Sequence, residues 1–246
     1  TKLHAGGKFG AGSYATSGGL HGVGASVVNA LSARVDVEVD REGKTWAMSF
    51  HRGEPGLFAD TEGPSPESTF EPFVNKSELR ALGSVKKGVT GTRVRFWPDP
   101  QIFGKKARFA ASELTERARQ TAFLVPGLSI HLVDHTGEEV VNTTFSAAGG
   151  LSEFLDFLAP DQPVVGPWHF SGEGQFEETV PVLDATGKLE SQDVVRDTHV
   201  DVVVQWGTGY DTVVKSFVNI IQTPKGGTHQ QGFDQGLTKT LRAEIE

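Results

Sequence analysis

The chain has 246 residues, 37% of them hydrophobic and 22% charged, which suits one large or two small domains that need no covalent staple. It contains no cysteine, so disulfides, thiolate metal sites and a cysteine nucleophile are excluded. A net charge of −8 argues against a broadly basic, DNA-gripping surface and leaves room only for a local basic patch.

No apolar run approaches the roughly 18 residues that span a bilayer. No signal peptide opens the chain, and a cytosolic setting is expected. Residue 1 is Thr, and the last residues stop inside a helix-like stretch without a cap, so both ends read as cut.

Residues 1–24 are rich in Gly, Ser, Ala and Thr and read as a loop. Val27, Val28 and Leu31 then mark one face of a helix. Val35, Val37 and Val39 alternate with Asp36 and Glu38 as a half-buried strand, and Arg41–Lys44 turns it back into Thr45–Phe50. Residues 53–88 carry little periodicity and read as an exposed insertion with a short helix near Lys76–Leu82. Thr92–Trp97 alternates again as a strand, and Ala107–Leu124 forms an amphipathic helix with Leu114, Ala118, Thr121 and Ala122 on one stripe. Leu128–Val133 is a strand that turns at Asp134–Gly137 into Glu139–Asn142.

A second unit begins near Phe145, with a helix after Gly150 that faces Leu151, Phe154, Leu155 and Leu158 inward. Strands are expected at Val164–Ser171, Glu177–Val182, Val200–Trp206 and Val213–Ile220, and a final helix after Gly226-Gly227-Thr228-His229. Mixed strands and helices with several hairpins point to an α+β fold rather than alternating parallel βαβ units.

The sharpest local feature is Ser17-Gly18-Gly19-Leu20-His21-Gly22-Val23-Gly24 leading directly into a helix. Glycines allow close backbone approach to an anion, and a helix start adds unpaired N–H groups and the positive end of its dipole. Lys8 and Tyr14 stand upstream as a mobile cation and a hydroxyl. A Walker A loop is excluded because no Gly-Lys-Ser/Thr ending follows, and a Rossmann fingerprint because a loop rather than a strand precedes it. On spacing alone, a plain glycine turn before a buried helix fits as well.

Lys2–Phe9, Ser13-Tyr14, Ser17–Gly24 and Ser26–Ser32 together closely resemble the ATP lid of the bacterial type IIA topoisomerase B subunits, those of DNA gyrase and topoisomerase IV. Thr90–Pro98 is similar to that family's strand beside the adenine pocket, and Gly226–His229 with Gly232-Phe233 to its transducer signature. The resemblance implies a GHKL (Bergerat) ATPase two-layer sandwich over residues 1–144, truncated at its N-terminus. A ribosomal-S5-like transducer domain, incomplete at its C-terminus, is implied over residues 145–246.

It implies ATP and Mg2+ as ligands. The backbone amides of Gly19, Leu20, His21, Gly22, Val23 and Gly24 would wrap the triphosphate, with Lys8 near the γ-phosphate. Tyr14 would lie near the adenine and Thr92 beside it. Arg41 matches an arginine at the pocket mouth that aminocoumarin inhibitors use. The family's general-base Glu, its Mg-binding Asn and its adenine-binding Asp would precede Thr1, and its γ-phosphate-sensing Lys would follow Glu246. No catalytic residue and no metal ligand is therefore expected in this piece, which alone should not hydrolyse ATP at a useful rate. The implied partners are the topoisomerase A subunit in a heterotetramer, a second copy of the B subunit in an ATP-dependent dimer, and DNA, in a cytoplasmic, nucleoid-associated setting. Gyrase and topoisomerase IV stay open, and another GHKL ATPase of the mismatch-repair MutL type is the alternative.

Blander readings cover the remaining residues. His21 and His229 suit backbone and helix-start positions better than catalysis, and the eight histidines show no metal-ligand spacing. Trp46, Trp97, Trp168 and Trp206 fall in strands as core or interface aromatics, and Arg93 and Arg95 as a solvated sheet face.

Overall fold

The computed structural model describes residues 23–75, 78–104, 106–159, 161–183 and 189–245. The chain divides into two compact units at Phe109/Ala110.

The first unit runs α1 (Gly24–Ala30), β1 (Ser32–Arg41), β2 (Lys44–His51), β3 (Glu54–Ala59), β4 (Thr69–Pro72), β5 (Arg80–Ser84), β6 (Gly91–Pro98) and α2 (Pro100–Phe103). Its strands form one antiparallel sheet in the order β4-β3-β2-β1-β6, with β5 also paired on β2. Glu42 (φ 54°) and Gly43 (φ 75°) both take the left-handed region between Arg41 and its partner Lys44, as a two-residue type I′ hairpin turn requires.

The period of two then sorts the sheet into faces. Val35, Val37 and Val39 of β1 stand beside Phe50, Met48 and Trp46 of β2 and beside Phe96, Val94 and Thr92 of β6. Arg34, Asp36, Glu38 and Asp40 share the opposite face. Ala33, Val35, Ala47 and Phe50 are the buried apolar residues.

Two expectations change here. Residues 53–88 are not an irregular insertion, because β3, β4 and β5 lie within them and extend the sheet. No helix is described over residues 78–82, where β5 begins; Lys76 and Ser77 lie outside the described residues. These strands are four to six residues long and largely exposed, so their ladder hydrogen bonds, not an apolar pattern, define them. Phe58, Phe70 and His51 form a ring cluster there, with centroids 4.8 and 5.1 Å apart. The ring of Phe70 occupies the place of a Cβ at Gly56, so only glycine fits that strand position. In α1, Val27, Val28 and Leu31 stay 36–48% exposed, while Asn29 is the buried residue.

The second unit runs α3 (Ala111–Leu124), β7 (Ser129–Asp134), β8 (Val141–Ser146), α4 (Leu151–Leu158), β9 (Pro163–Leu183), β10 (Leu189–Gly207), β11 (Phe217–Val218), β12 (Ile221–Gln222) and α5 (Thr228–Ile245). Its apolar centre is Ala122, Phe145, Ala147 and Phe154. Phe123 of α3 stacks on Phe154 of α4 at 4.9 Å and 15°, and Phe154 reaches Phe217 at 5.9 Å. Arg119 covers the rings of Phe145 and Phe157 at 5.8 and 5.0 Å.

The helix expected from Ala107 starts at Ala111, and Leu114 on its anticipated stripe is exposed. The strands expected at 164–171 and 177–182 are one strand, β9. Gly172 and Gly174 do not end it, since they pair with Val200 and Thr198 of the equally long β10. The strand expected at Val213–Ile220 reduces to the β11–β12 hairpin, which turns at Asn219 with φ 55°. Trp168 and Trp206 form a T-shaped pair at 5.1 Å but are 45% and 40% exposed, so they do not sit in a core.

Packing thus joins α3, β7 and β8 to α4, whereas the domain junction read from the family lies at residues 144/145.

Candidate functional site

Of the expected site residues, Lys8, Tyr14, Gly19, Leu20, His21 and Gly22 lie outside the described residues. Val23, Gly24 and Thr92 are described.

Val23 is the N-cap of α1, with φ −104° and ψ −13°. Its carbonyl accepts the Val27 N–H at 2.9 Å, and among the described residues no side chain caps the helix. A Cβ placed on Gly24 would meet nothing within 4 Å, and its φ is not left-handed. Among the described residues nothing therefore demands glycine at this position. Behind it Ser32 Oγ donates to the Val28 carbonyl at 2.7 Å, and the Asn29 Oδ1, buried, has no partner.

The far end of α1 is tied to β6. Asp99, just after β6, donates its N–H to the Leu31 carbonyl at 3.0 Å. Its buried carboxylate caps α2 through the Gln101 N–H at 2.8 Å and accepts from Arg52 Nε at 2.7 Å. The Gln101 amide first, and Arg52 with it, hold Asp99 below the ordinary carboxylate range.

Thr92 lies at the other end of the β1–β6 pairing, opposite Val39, exposed on the face that carries Val94 and Phe96. The next residue points the other way. Arg93 makes a two-pronged contact with Asp40, at 2.9 and 3.1 Å, while its Nε bonds Glu38 at 2.8 Å. Thr45 Oγ donates to Asp40 at 2.7 Å. The Thr45 hydroxyl first, then Arg93, lower the Asp40 pKa, and the two acids raise that of Arg93. Arg93 is thus no merely solvated side chain.

That cluster was missed in the sequence. Its signal was there: acids at 36, 38 and 40 on one strand and arginines at 93 and 95 on another meet when the strands pair antiparallel. Arg41, by contrast, is exposed and pairs with its neighbour Glu42, at 3.3 Å.

The same sheet face holds a second cluster. Arg34, its side chain 3% exposed, binds Asp60 with two bonds of 2.6 Å, Asp36 at 3.0 and 3.1 Å and the Ser65 carbonyl at 2.8 Å. Its guanidinium also lies 3.9 Å from the Phe58 ring centroid. Arg34 lowers the pKa of Asp60. No group of three or more His, Asp or Glu side chains suited to a metal ion occurs among the described residues.

A family model described as DNA gyrase B matches residues 150–246. The DNA gyrase B protein of Halalkalibacterium halodurans is 37% identical over 243 residues, and that of Streptococcus pyogenes 38% over 241. Each alignment covers 98% of this chain and 31% of the relative, so the chain spans about a third of the length of the curated relatives it matches. Among solved structures, the 43K ATPase domain of Thermus thermophilus gyrase B, in complex with an aminocoumarin, superposes with a TM-score of 0.62 at 33% identity. That match covers 90% of this chain and 49% of the other. The topoisomerase IV ATP-binding domain of Francisella tularensis shares the fold, with a TM-score of 0.57 at 23% identity over 93% of this chain and 51% of that one.

The antiparallel sheet, the helix that enters it and these matches define a class of fold, the GHKL type seen in the gyrase B ATPase domain. Within that fold, residues 150–246 match the DNA gyrase B family model, and 98% of the chain aligns with DNA gyrase B proteins.

Proposed function

We propose that this chain forms the phosphate lid, the adenine-side strand and the start of the transducer of an ATP-driven type II topoisomerase subunit. The observation that carries the reading is the pairing of β6 with β1: Thr92 stands exposed on the apolar face of β6, and α1, packed on the same β1, begins with no side-chain cap among the described residues. An uncapped helix start attracts anions, and an exposed apolar strand face suits a planar base.

ATP, with Mg2+ as its counter-ion, would then run from the amides of Gly19, Leu20, His21, Gly22, Val23 and Gly24 to Thr92. Lys8 would approach the γ-phosphate and Tyr14 the nucleoside. The freedom of Gly24 from any constraint among the described residues supports a glycine kept for close approach by a ligand. By the family resemblance, the general base for hydrolysis would be a carboxylate other than the residues named here. A GHKL domain over residues 1–144 and an S5-like transducer over residues 145–246 accord with the family match that begins at residue 150.

Nucleotide binding would close a dimer of B subunits, with the topoisomerase A subunit and DNA as the further partners, in the cytoplasm. Equilibrium binding of a non-hydrolysable ATP analogue to the full-length protein tests this. Gly22→Leu and Gly24→Leu should each weaken binding at least tenfold, about 1.4 kcal/mol; undiminished affinity in both would refute the lid assignment. With its A partner on relaxed circular DNA, introduction of negative supercoils identifies gyrase, and decatenation without supercoiling identifies topoisomerase IV.

A further inference from the structure

We infer that Arg93, clamped by Asp40 and Glu38, is a positioning residue that holds the base-facing edge of the nucleotide site in register, an inference that rests on the nucleotide reading above. The side-chain period of a strand is two, so a slip of β6 by one residue would carry Thr92 to the opposite face. Ladder hydrogen bonds join β6 to β1 from Ser32–Pro98 to Asp40–Gly91.

The clamp adds side-chain ties to that ladder. Arg93 stands directly across from Glu38 and reaches diagonally to Asp40, so one guanidinium spans two rungs of β1. Asp40 is itself fixed from β2 by Thr45, opposite it in register, and its side chain is 8% exposed. Three strands thus converge on one carboxylate on the face opposite Thr92. A lysine at 93 would carry the charge but not the fork that joins both acids.

The clamp is also separate from the tie that anchors the lid helix. The clamp sits at the Val39–Thr92 end of the β1–β6 pair, whereas the tie of α1 through Leu31 and Asp99 sits at the Ser32–Pro98 end. Loosening the clamp should weaken recognition of the base and leave the hold on phosphates intact.

The test uses the full-length protein and two probes, a non-hydrolysable ATP analogue and inorganic tripolyphosphate. Arg93→Met and Asp40→Asn should each weaken the ATP analogue about tenfold, with tripolyphosphate affinity changed less than twofold, and Arg93→Lys should behave nearly as Arg93→Met does. Equal loss for both probes, or an unchanged affinity for the analogue, overturns the positioning role. Failure of the wild-type protein to bind the analogue would instead overturn the nucleotide reading itself, and the inference with it.

Discussion

The sheet of the first unit and the β9–β10 ribbon of the second are both antiparallel, yet they are held in different ways. In the sheet unit, charged side chains are fastened to buried partners: buried Arg34 to Asp36 and Asp60, Arg93 to the buried Asp40, and Arg52, just after β2, to the buried Asp99. In the ribbon, two strands of 21 and 19 residues are joined along their length by backbone pairing. Its ion pairs, His169 with Asp201 and Arg196 with Glu178, are exposed. Its apolar face is exposed too, with Trp168 at 45%, Phe170 at 57% and Phe176 at 52%. The difference teaches that regular strand geometry says little about where stability resides. A buried partner raises the cost of losing a side chain, and an exposed ladder does not.

The largest effect should come from Arg34→Met. Removing a guanidinium whose side chain is 3% exposed leaves Asp60 and Asp36 without their counter-charge and opens the Phe58 stack, a loss of about 3–5 kcal/mol by analogy with broken buried pairs. Urea denaturation of this chain checks it. A loss below about 1 kcal/mol would put Arg34 on a level with a surface pair and erase the contrast between sheet and ribbon.

Within the second unit, Phe154→Ala should cost about 3 kcal/mol, because the ring is 7% exposed and stacks on Phe123. Phe170→Thr in the ribbon should stay within about 0.5 kcal/mol by the same measurement. Similar losses at the two positions would mean that the ribbon's apolar face is covered in solution.

A smaller, pH-dependent effect should also favour the sheet as the acid-sensitive part. Asp40, Asp60 and Asp99 in the first unit have lowered pKa values, against Asp134, held down by Thr136, in the second. A carboxylate lowered in the folded state contributes stability above its unfolded pKa of about 3.9 and loses it as the pH falls through the folded value. Hydrogen exchange in β1 and β6 should therefore accelerate below about pH 4 more than in β7 and β8. Asp99→Asn should flatten that dependence at the β6 end; an unaltered slope would remove Asp99 from the set.

Much of the local structure was legible in the residues. The Val35–Val39 alternation, the Glu42-Gly43 turn and the helix after Gly150 follow from period and turn chemistry, which act over a few residues. Where local pattern was weak, the reading failed. Residues 53–88 form strands only because β2 and β3 offer ladder partners, and β9 runs through Gly172 and Gly174 only because β10 lies beside it. Of the candidate site, the glycine lid and Thr92 were visible as motif, but the grip of Asp40 on Arg93 was not, since the two are 53 positions apart.

By itself, then, the sequence determined the family blocks, the α+β composition and the elements whose period is carried by their own side chains. The tertiary structure decided the order and register of the sheet, which charges are buried in pairs and which sheet face Thr92 occupies. Those depend on hydrogen bonds and desolvation between segments far apart in the chain, where no short-range pattern reaches.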